Sequence, residues 1–594
     1  MTWHITARMA WHDRGWDGRV CDDPGANSYC TGSHSLLSER LAREKRTECE
    51  LPCAALDANL PAYQPPCFWT SSAFAPSPTK VLHRHPFLTY RDKKQIDETL
   101  PAASLYTWPF RLSITHAAKK RHGQYFPNLE DRVERFVGRL NTERSLVFFY
   151  LNYDNPISAD DYKYALVGCA RLSEVATSGV FPFDADELDD IRASDHMKNF
   201  PTMNWALRLS HEGAGSGVVQ LPYHAYLAHI AAHPDDEAKL DELRVLVDEP
   251  ALRPNFKYVS EQVHDDHALA LLYKLKRALA RAQAHGIVNV DAMLDRVEDY
   301  IADAWQDRGL YPGLGSVLNV LADLAEGEYQ VAGDRGASLA AALRASLGDG
   351  EDLLDAAYSL LESKDAVPGV LANHKGTARD ARAGYRDNKS LKPLLRKLAL
   401  FTLTPRQVGR ILFPEDDGPH AFAGLALSPG DIAANPYVLA ESYVPATVSA
   451  REEQEDLDRE QRSDAAIDYA VIDIGMFPDH RHLDRRDDLH DLTVTGPERL
   501  RAFAHEALTA AEAQGHSFVS TATLVEHAAG HPLFYRDKLN VSETQFLYEE
   551  HLAHFRERMH IRTSMVRTSS TFCVPGAPNR SSCASSANAS DSKR

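Results

Sequence analysis

The sequence predicts a multidomain protein of the α+β class, and three observations support this prediction. The chain has 594 residues, which at roughly 100–200 residues per domain corresponds to about three to five domains. Its hydrophobic fraction of 44% and charged fraction of 25% are ordinary for globular proteins that bury apolar cores. Strand-like apolar runs occur before residue 230, whereas apolar residues at helical spacing dominate after residue 235. The units expected in chain order are a cysteine-rich N-terminal region (1–80), an α/β domain (81–234), a helical middle domain (235–390), a helix-hairpin-helix region (391–447), a further helical region (448–561) and a disordered tail (562–594).

The charge of the chain limits the partners that it can have. The formal net charge is −19, which excludes a protein that coats nucleic acid uniformly, so any contact with DNA has to be local. No run of about 18 apolar residues is present, and the first residues lack the apolar core of a signal peptide. We therefore expect a cytoplasmic protein with no membrane partner, in which the cysteines stay reduced.

Cysteines are concentrated near the N-terminus, where five of the eight fall between residues 21 and 67. This region has little apolar content, so it needs another means of holding its loops together, such as a bound metal. Four thiolates suffice for zinc or an iron–sulfur cluster, but a pair of C-x-x-C motifs is missing, so free buried thiols are the alternative. The candidate metal ligands are Cys21, Cys30, Cys49, Cys53 and Cys67, with His12 and His34 as further candidates. Cys169 lies in an apolar strand and is expected in the core.

Two apolar segments predict strands of the α/β domain. Ser145–Tyr153 is an aromatic run of strand type, and after the Asn155-Pro156 break Tyr164–Val175 predicts a second strand. This order of strand, break and YALVGCARL strand resembles PUA-like and EVE-like folds over about residues 85–230. The resemblance implies a small β-barrel-like domain that holds a modified base in an aromatic pocket. The alternative is that the aromatic side chains, which alternate between the two strand faces, pack the core. These side chains are Phe148, Phe149, Tyr150 and Tyr153.

The helical middle domain is predicted from apolar residues that recur at three- and four-residue spacing. Pro and Gly residues separate the helices, and no internal repeat of about 20–50 residues is present. The predicted helices are Asp236–Asp248, Val263–His285, Val290–Trp305 and Leu339–Leu361.

Two helical hairpins are predicted in the last third of the chain. In Leu394–Leu412, Thr404 is the candidate N-cap of the second helix and Pro405 occupies its first position. In Gly424–Ala440, the dipeptide Ser428-Pro429 starts another short helix. Helix-hairpin-helix units bind the DNA backbone through amides at helix N-termini with Lys or Arg nearby, whereas the alternative is a plain hairpin in a helical bundle. The candidate DNA-binding residues are Arg396, Lys397, Thr404, Arg406, Arg410, Ser428 and Gly430.

The sequence contains no ATP-binding P-loop. That loop requires Gly-Lys-Ser or Gly-Lys-Thr so that amides and a lysine hold the phosphates, and neither tripeptide occurs. The nearest string, His374–Thr377 (HKGT), has a different order. A metal-dependent nuclease is an alternative enzyme, which would use either the cysteine cluster or the nearby Asp and His residues of a polar stretch, although such stretches are more often solvated loops. The residues of this stretch are Asp479, His480, His482 and Asp484. We expect no ATP site and assign no catalytic residue.

Short motifs in the last third resemble a known family. Asp431–Leu439 (DIAANPYVL) resembles the NPY-L segment in the N-terminal hairpin domain of RecD-like ATP-dependent DNA helicases, which include exodeoxyribonuclease V alpha-like proteins. Ala502–Val519 resembles the helix and GH-F turn that open the next small domain, and residues around Leu524 would continue a winged-helix-like unit. The resemblance spans about residues 391–560. It implies that the chain is the DNA-gripping, non-motor part of such a helicase, in DNA repair or defence.

The same resemblance implies a second partner besides DNA. In that family the motor begins soon after this region, where the present sequence has a Ser-rich tail. We therefore expect a truncated or split protein whose motor ATPase is either a separate subunit or lost. The alternatives are the metal-dependent nuclease and a helical interaction scaffold without a DNA role.

Overall fold

The structure is a computed structural model, which describes residues 2–9, 11, 137–151, 155–158, 164–178, 206–211, 218–247, 252, 255–256, 262–324, 335–348, 350–415, 420–422, 425–446, 466–513, 515–563 and 570–573, together with four strands between 72 and 107. These residues form a mixed α+β protein with more helix than strand. The chain divides into two compact units, Met1–Asp307 and Arg308–Arg594. The division falls inside the stretch 235–390, which the sequence predicts as one helical domain. Among the residues described, no helix has both the length and the apolar character needed to cross a membrane.

The first unit is built around a mixed β-sheet. Its strands are β1 (Trp3–Met9), β2 (Ser72–Ala75), β5 (Ser104–Thr107), β6 (Leu146–Leu151), β7 (Tyr164–Ser178), β8 (Ala206–His211), β9 (Val219–Gln220), β10 (Leu246–Val247) and β11 (Gln262–His264), while β3 (Thr79–Arg84) and β4 (Gln95–Leu100) form a separate antiparallel pair. The sheet order is β11-β1-β6-β7-β8-β5-β2, with β9 and β10 both paired to β7. β1 runs parallel to β6, and the remaining pairs are antiparallel.

Strand β6 lies in the core of this sheet, and all six of its residues are buried. Its sequence LVFFYL is a continuous apolar run, as expected for a strand that is covered on both faces. Phe148, Phe149 and Tyr150 are each buried, and Tyr150 packs edge-on against Phe256 with 5.0 Å between the ring centroids. These three side chains therefore pack the core, which is the alternative to a base-binding pocket. Tyr153 lies outside the described residues.

The described helices of the first unit are α1 (Tyr223–Ala232), α2 (Glu237–Leu243), α3 (Asp265–His285) and α4 (Asp291–Arg308), the last of which reaches the unit boundary. α3 confirms the predicted helix Val263–His285, and it ends where Gly286 adopts a left-handed conformation (φ 67°). At its start the buried Asp265 carboxylate accepts a hydrogen bond from the Thr2 amide (2.8 Å) and lies 3.1 Å from His4 Nε2. These contacts tie the first strand of the chain to the N-terminus of α3.

The second unit is mainly helical. Its described helices after α4 are α5 (Leu314–Leu324), α6 (Arg335–Ser346), α7 (Leu353–Glu362), α8 (Lys375–Asp387), α9 (Lys392–Leu398), α10 (Pro405–Leu412), α11 (Pro429–Ala434), α12 (Val438–Ser442), α13 (Tyr469–Met476), α14 (Pro497–Ala513), α15 (Thr521–Gly530), α16 (Pro532–Arg536), α17 (Glu543–Leu547) and α18 (Glu549–Arg556). The prediction of one helix over Leu339–Leu361 is wrong, because α6 and α7 are separate. Gly350 adopts φ 81° between them, and Asp352 caps α7 by accepting hydrogen bonds from two amides (2.9 and 3.0 Å).

A small antiparallel sheet lies at the C-terminal end of the described residues. Its strands are β12 (Val519–Ser520), β13 (His560–Thr563) and β14 (Ser570–Cys573), in the order β12-β14-β13. β14 and the last two residues of β13 fall within the tail that the sequence predicts as disordered, so that prediction is wrong for residues 562–563 and 570–573. The Ser- and Thr-rich composition concealed a strand whose pairing depends on partners earlier in the chain.

Candidate nucleic-acid interface

The first predicted hairpin is present, and its turn is built as the sequence predicts. α9 is followed by a short turn, and α10 begins at Pro405 with Thr404 as its N-cap. The Thr404 hydroxyl accepts a hydrogen bond from the Gln407 amide (3.1 Å), and the Gln407 side chain accepts one from the Thr404 amide (2.9 Å). This reciprocal capping box confirms the predicted N-cap and the proline at the first helical position.

Two of the predicted DNA-binding cations in this hairpin point into the protein. Arg410 is 0% exposed, and its guanidinium donates to the carbonyl of Val444 (2.7 Å) and lies over the ring of Tyr443. Lys397 is 4% exposed, and its ammonium donates to the carbonyl of Leu489 and to the carboxylate of Asp491. Both cations therefore hold internal loops to the hairpin.

The other two cations of the hairpin are also engaged. Arg406 is only 8% exposed. Arg396 forms an ion pair with Asp488 at 2.7 Å and has 23% of its side chain exposed. The Gln407 amide, which a phosphate would need at the start of α10, is bonded to Thr404. These features are those of a plain hairpin packed within a helical bundle, which is the alternative to a DNA-binding helix-hairpin-helix unit.

The second predicted helix end is exposed, but it carries a carboxylate. Ser428 and Gly430 are both exposed at the start of α11. Asp431 accepts a hydrogen bond from the Ser428 amide (2.8 Å), and the Ser428 hydroxyl accepts one from the Asp431 amide (3.2 Å). Hydrogen bonds from Ser428 lower the pKa of the Asp431 carboxyl, so it is ionised at neutral pH. A negative charge therefore occupies the place where a phosphate would bind.

The NPY segment contributes to a buried polar network. The Asp473 carboxylate accepts hydrogen bonds from the hydroxyls of Tyr437 (2.6 Å) and Tyr469 (2.9 Å) and from the guanidinium of Arg499 (2.6 and 2.7 Å). Arg499 also donates to Asp537 at 2.6 Å. Burial disfavours the charged form of Asp473, but the adjacent Arg499 outweighs it and lowers the pKa of this carboxyl. The network joins the NPY segment to α13, through Tyr469 and Asp473, and to α14, through Arg499.

A basic face on α8 is the candidate interface. From Lys375 to Lys397 the chain has eight Lys or Arg side chains and two Asp, a local net charge of +6, whereas the whole chain has −19. Arg379 and Arg386 have 80% and 70% of their side chains exposed, and Lys375 is exposed as well. These three lie within about 40° of one another around the helix, since one turn takes about 3.6 residues. Lys389, also exposed, follows in the next 3₁₀ turn. We call Lys375, Arg379, Arg386 and Lys389 the basic stripe.

The acidic neighbours of the basic stripe leave its charge available. Arg379 lies 3.4 Å from Asp380, and Arg386 lies 3.4 Å from Asp387. Exposed ion pairs of this kind contribute little, because water competes for both charges. Arg382, at the same helical spacing, is instead turned inward and donates to two backbone carbonyls (2.7 and 2.8 Å). The two exposed guanidinium groups can exchange their neighbouring carboxylates for a phosphate at small cost.

The opposite side of α8 is fixed to the body of the second unit. A Cβ placed on Gly384 would lie 1.9 Å from the carbonyl oxygen of Leu321 in α5, so only glycine permits this close approach. Tyr385 is 1% exposed, and its hydroxyl donates to Glu362 (2.8 Å), which also accepts from Lys392 (2.6 Å). The basic stripe is therefore presented by a helix whose position is set by buried contacts.

The predicted metal site cannot be placed on this fold, because its candidate ligands lie outside the described residues: Cys21, Cys30, Cys49, Cys53, Cys67, His12 and His34. In the part of the chain that is described, no group of three or more His, Cys, Asp or Glu residues could hold a metal ion. Cys169 is buried in β7, and burial raises the pKa of its thiol, as predicted for a core residue. In the His/Asp stretch, Asp479 accepts two hydrogen bonds from the guanidinium of Arg481 (3.0 and 2.6 Å).

The basic stripe was not among the predicted site residues, although the sequence contains its signal. Lys or Arg recurs at spacings of four, three, four and three residues from Lys375 to Lys389, which is the repeat of one helical face. The predictions for this region depend on apolar residues at helical spacing and so do not include this basic face. Comparison of the chain with protein-family models, with curated proteins and with solved structures found no match.

Proposed function

We propose that this chain binds the sugar–phosphate backbone of DNA, independently of base sequence, through the basic stripe. The observation that carries the proposal is the set of four exposed cations along α8 and the 3₁₀ turn that follows it, in a chain whose net charge is −19. Phosphate contacts by Lys and Arg displace condensed counterions, which favours binding without any contact to the bases. Because the rest of the chain is acidic, the contact is confined to this face.

The proposal moves the DNA contact away from the two hairpins. Arg406 and Arg410 are buried, and Asp431 presents a negative charge at the exposed end of α11. The basic stripe combines exposure, which the first hairpin lacks, with positive charge, which the exposed end of α11 lacks. The role that the RecD-like resemblance implies, a DNA-holding part without a motor, is retained in this proposal, with a separate motor ATPase as the second partner.

The order of elements at the C-terminal end supports a winged-helix-like unit in residues 497–573. There a helix (α14) is followed by strand β12, helices α15 to α18 and the hairpin β13–β14, with β12 paired to β14. We propose this finer fold, which agrees with the winged-helix-like unit that the sequence predicts around Leu524. A fold alone does not give a function, so the DNA assignment depends on the basic stripe.

The test is the affinity of the full chain for two duplexes of unrelated sequence and about 20 base pairs, measured by fluorescence anisotropy. The variant Arg379→Glu/Arg386→Glu should lose at least about tenfold in affinity for both duplexes, because it removes two phosphate contacts and adds repulsion. The matched control is Lys538→Glu/Arg556→Glu, which changes the net charge equally at exposed residues elsewhere in the second unit. The control should change affinity by less than about twofold.

Three outcomes would overturn the proposal. The first is the absence of measurable duplex binding by the unaltered chain, and the second is an equal loss of affinity in the stripe variant and the control. The third is binding of labelled polyaspartate as tightly as the duplex, which would identify the basic stripe as a surface for an acidic polypeptide.

A further inference from the structure

We infer that Val370 is an apolar wedge beside the basic stripe, and that it gives the chain a preference for DNA whose base stack is interrupted by a gap. This inference rests on the proposed DNA-binding function and extends it to the kind of DNA that is bound. Val370 is 73% exposed, more than the other large hydrophobic residues of the described part of the chain that are exposed, Phe518 (46%) and Tyr548 (56%).

Val370 lies in a short turn that is kinked at the next residue, Leu371 (φ −104°, ψ 19°). It lies in the 3₁₀ turn Gly369–His374, which leads directly into α8 at Lys375. The neighbouring Leu371 is 1% exposed, and its amide donates to the carbonyl of Pro368 (2.9 Å). A buried leucine and a proline of fixed φ therefore hold the turn. Val370 precedes Lys375, the first cation of the basic stripe, by five residues, so their Cα atoms are at most about 18 Å apart.

An apolar side chain next to phosphate-binding cations gains most affinity where it can cover the apolar face of a base. In an intact duplex the faces of the bases are stacked on one another, and inserting a side chain requires them to unstack. At a gap the stack is already broken, so the same insertion costs least there. Burying a valine side chain against an exposed base is sufficient for roughly a tenfold gain in affinity. The basic stripe would hold either DNA, and Val370 would discriminate between them.

The experiment compares binding of the full chain to an intact duplex and to the same duplex with a one-nucleotide gap. The unaltered chain should bind the gapped duplex about tenfold more tightly. Val370→Ser should reduce this ratio to less than about twofold while leaving the affinity for the intact duplex unchanged, and Val370→Leu should keep the preference. Tyr548→Ser is the control for loss of an exposed apolar side chain, and it should keep the preference as well.

The results separate this inference from the function on which it rests. Equal binding of the two duplexes, or a preference that persists in Val370→Ser, overturns the wedge while duplex binding through the basic stripe stands. Loss of the preference in Tyr548→Ser to the same extent also overturns it. If neither DNA binds the unaltered chain, both proposals fail together.

Discussion

Replacing two arginines of the basic stripe with alanine should halve the salt dependence of DNA binding. Each phosphate that a Lys or Arg neutralises on duplex DNA contributes a slope of about −0.9 to the plot of log affinity against log salt concentration. Four stripe cations therefore give a slope of about −3.6, and Arg379→Ala/Arg386→Ala should give about −1.8. Between about 50 and 200 mM salt, affinity should fall about 150-fold for the unaltered chain and about 12-fold for the variant.

The assay is fluorescence anisotropy with a labelled duplex of about 20 base pairs over this range of salt. The two side chains are 80% and 70% exposed, so their loss should leave the packing of α8 unchanged, which circular dichroism can verify. Lys538→Ala/Arg556→Ala is the control, and its slope should equal that of the unaltered chain. A slope that stays near its original value in the stripe variant, or a slope that falls equally in the control, would refute the reasoning.

The remaining predictions concern stability and are measured by urea unfolding. Gly384→Ala should lower the free energy of unfolding by about 3 kcal/mol because its Cβ meets backbone, whereas Gly376→Ala on the same helix, with open space around it, should cost nothing. Asp473→Asn should cost about 3 kcal/mol because it removes the buried carboxylate that pairs with Arg499 and leaves Asp537 to balance that charge, and a cost under about 1 kcal/mol would contradict the network. Burial, aided by two adjacent cations, lowers the pKa of His490 from 6.5 to about 4. The free energy of unfolding should therefore fall by about 3 kcal/mol as the pH is lowered from ~6.5 to ~4, because the unfolded chain binds a proton at His490 that the folded chain does not. If the pH dependence of the unfolding free energy is the same in His490→Gln, this prediction is wrong.

Local features of the second unit could be predicted from the sequence, because they depend on neighbouring residues. Thr404 and Pro405 start α10 as predicted, since a capping box spans only four positions. The burial of Arg410 and Lys397 could not be predicted in this way. Their partners Val444 and Asp491 lie 34 and 94 positions further along the chain, so only the tertiary fold brings them together.

In the first unit, likewise, the burial of a strand could be predicted from the sequence but its pairing partner could not. The apolar run of β6 predicts a buried strand, and its burial is confirmed. Its parallel pairing with β1 joins residues about 140 positions apart, as in Ile5 with Val147, and no pattern in either segment indicates that partner. The basic stripe differs, because its helical spacing is local and is visible in the sequence. Its exposure could not be predicted, since it depends on which face of α8 packs against α5.

The most direct test of the central claim is to identify the residues that touch DNA phosphates. A duplex with a photoreactive group on single backbone phosphates would be crosslinked to the full chain, and the attached peptides would be mapped by mass spectrometry. Binding through the basic stripe predicts crosslinks within about residues 368–392, a segment of α8 and its flanking turns. Crosslinks confined to residues 402–412 or 425–434, the two hairpin ends, would contradict it.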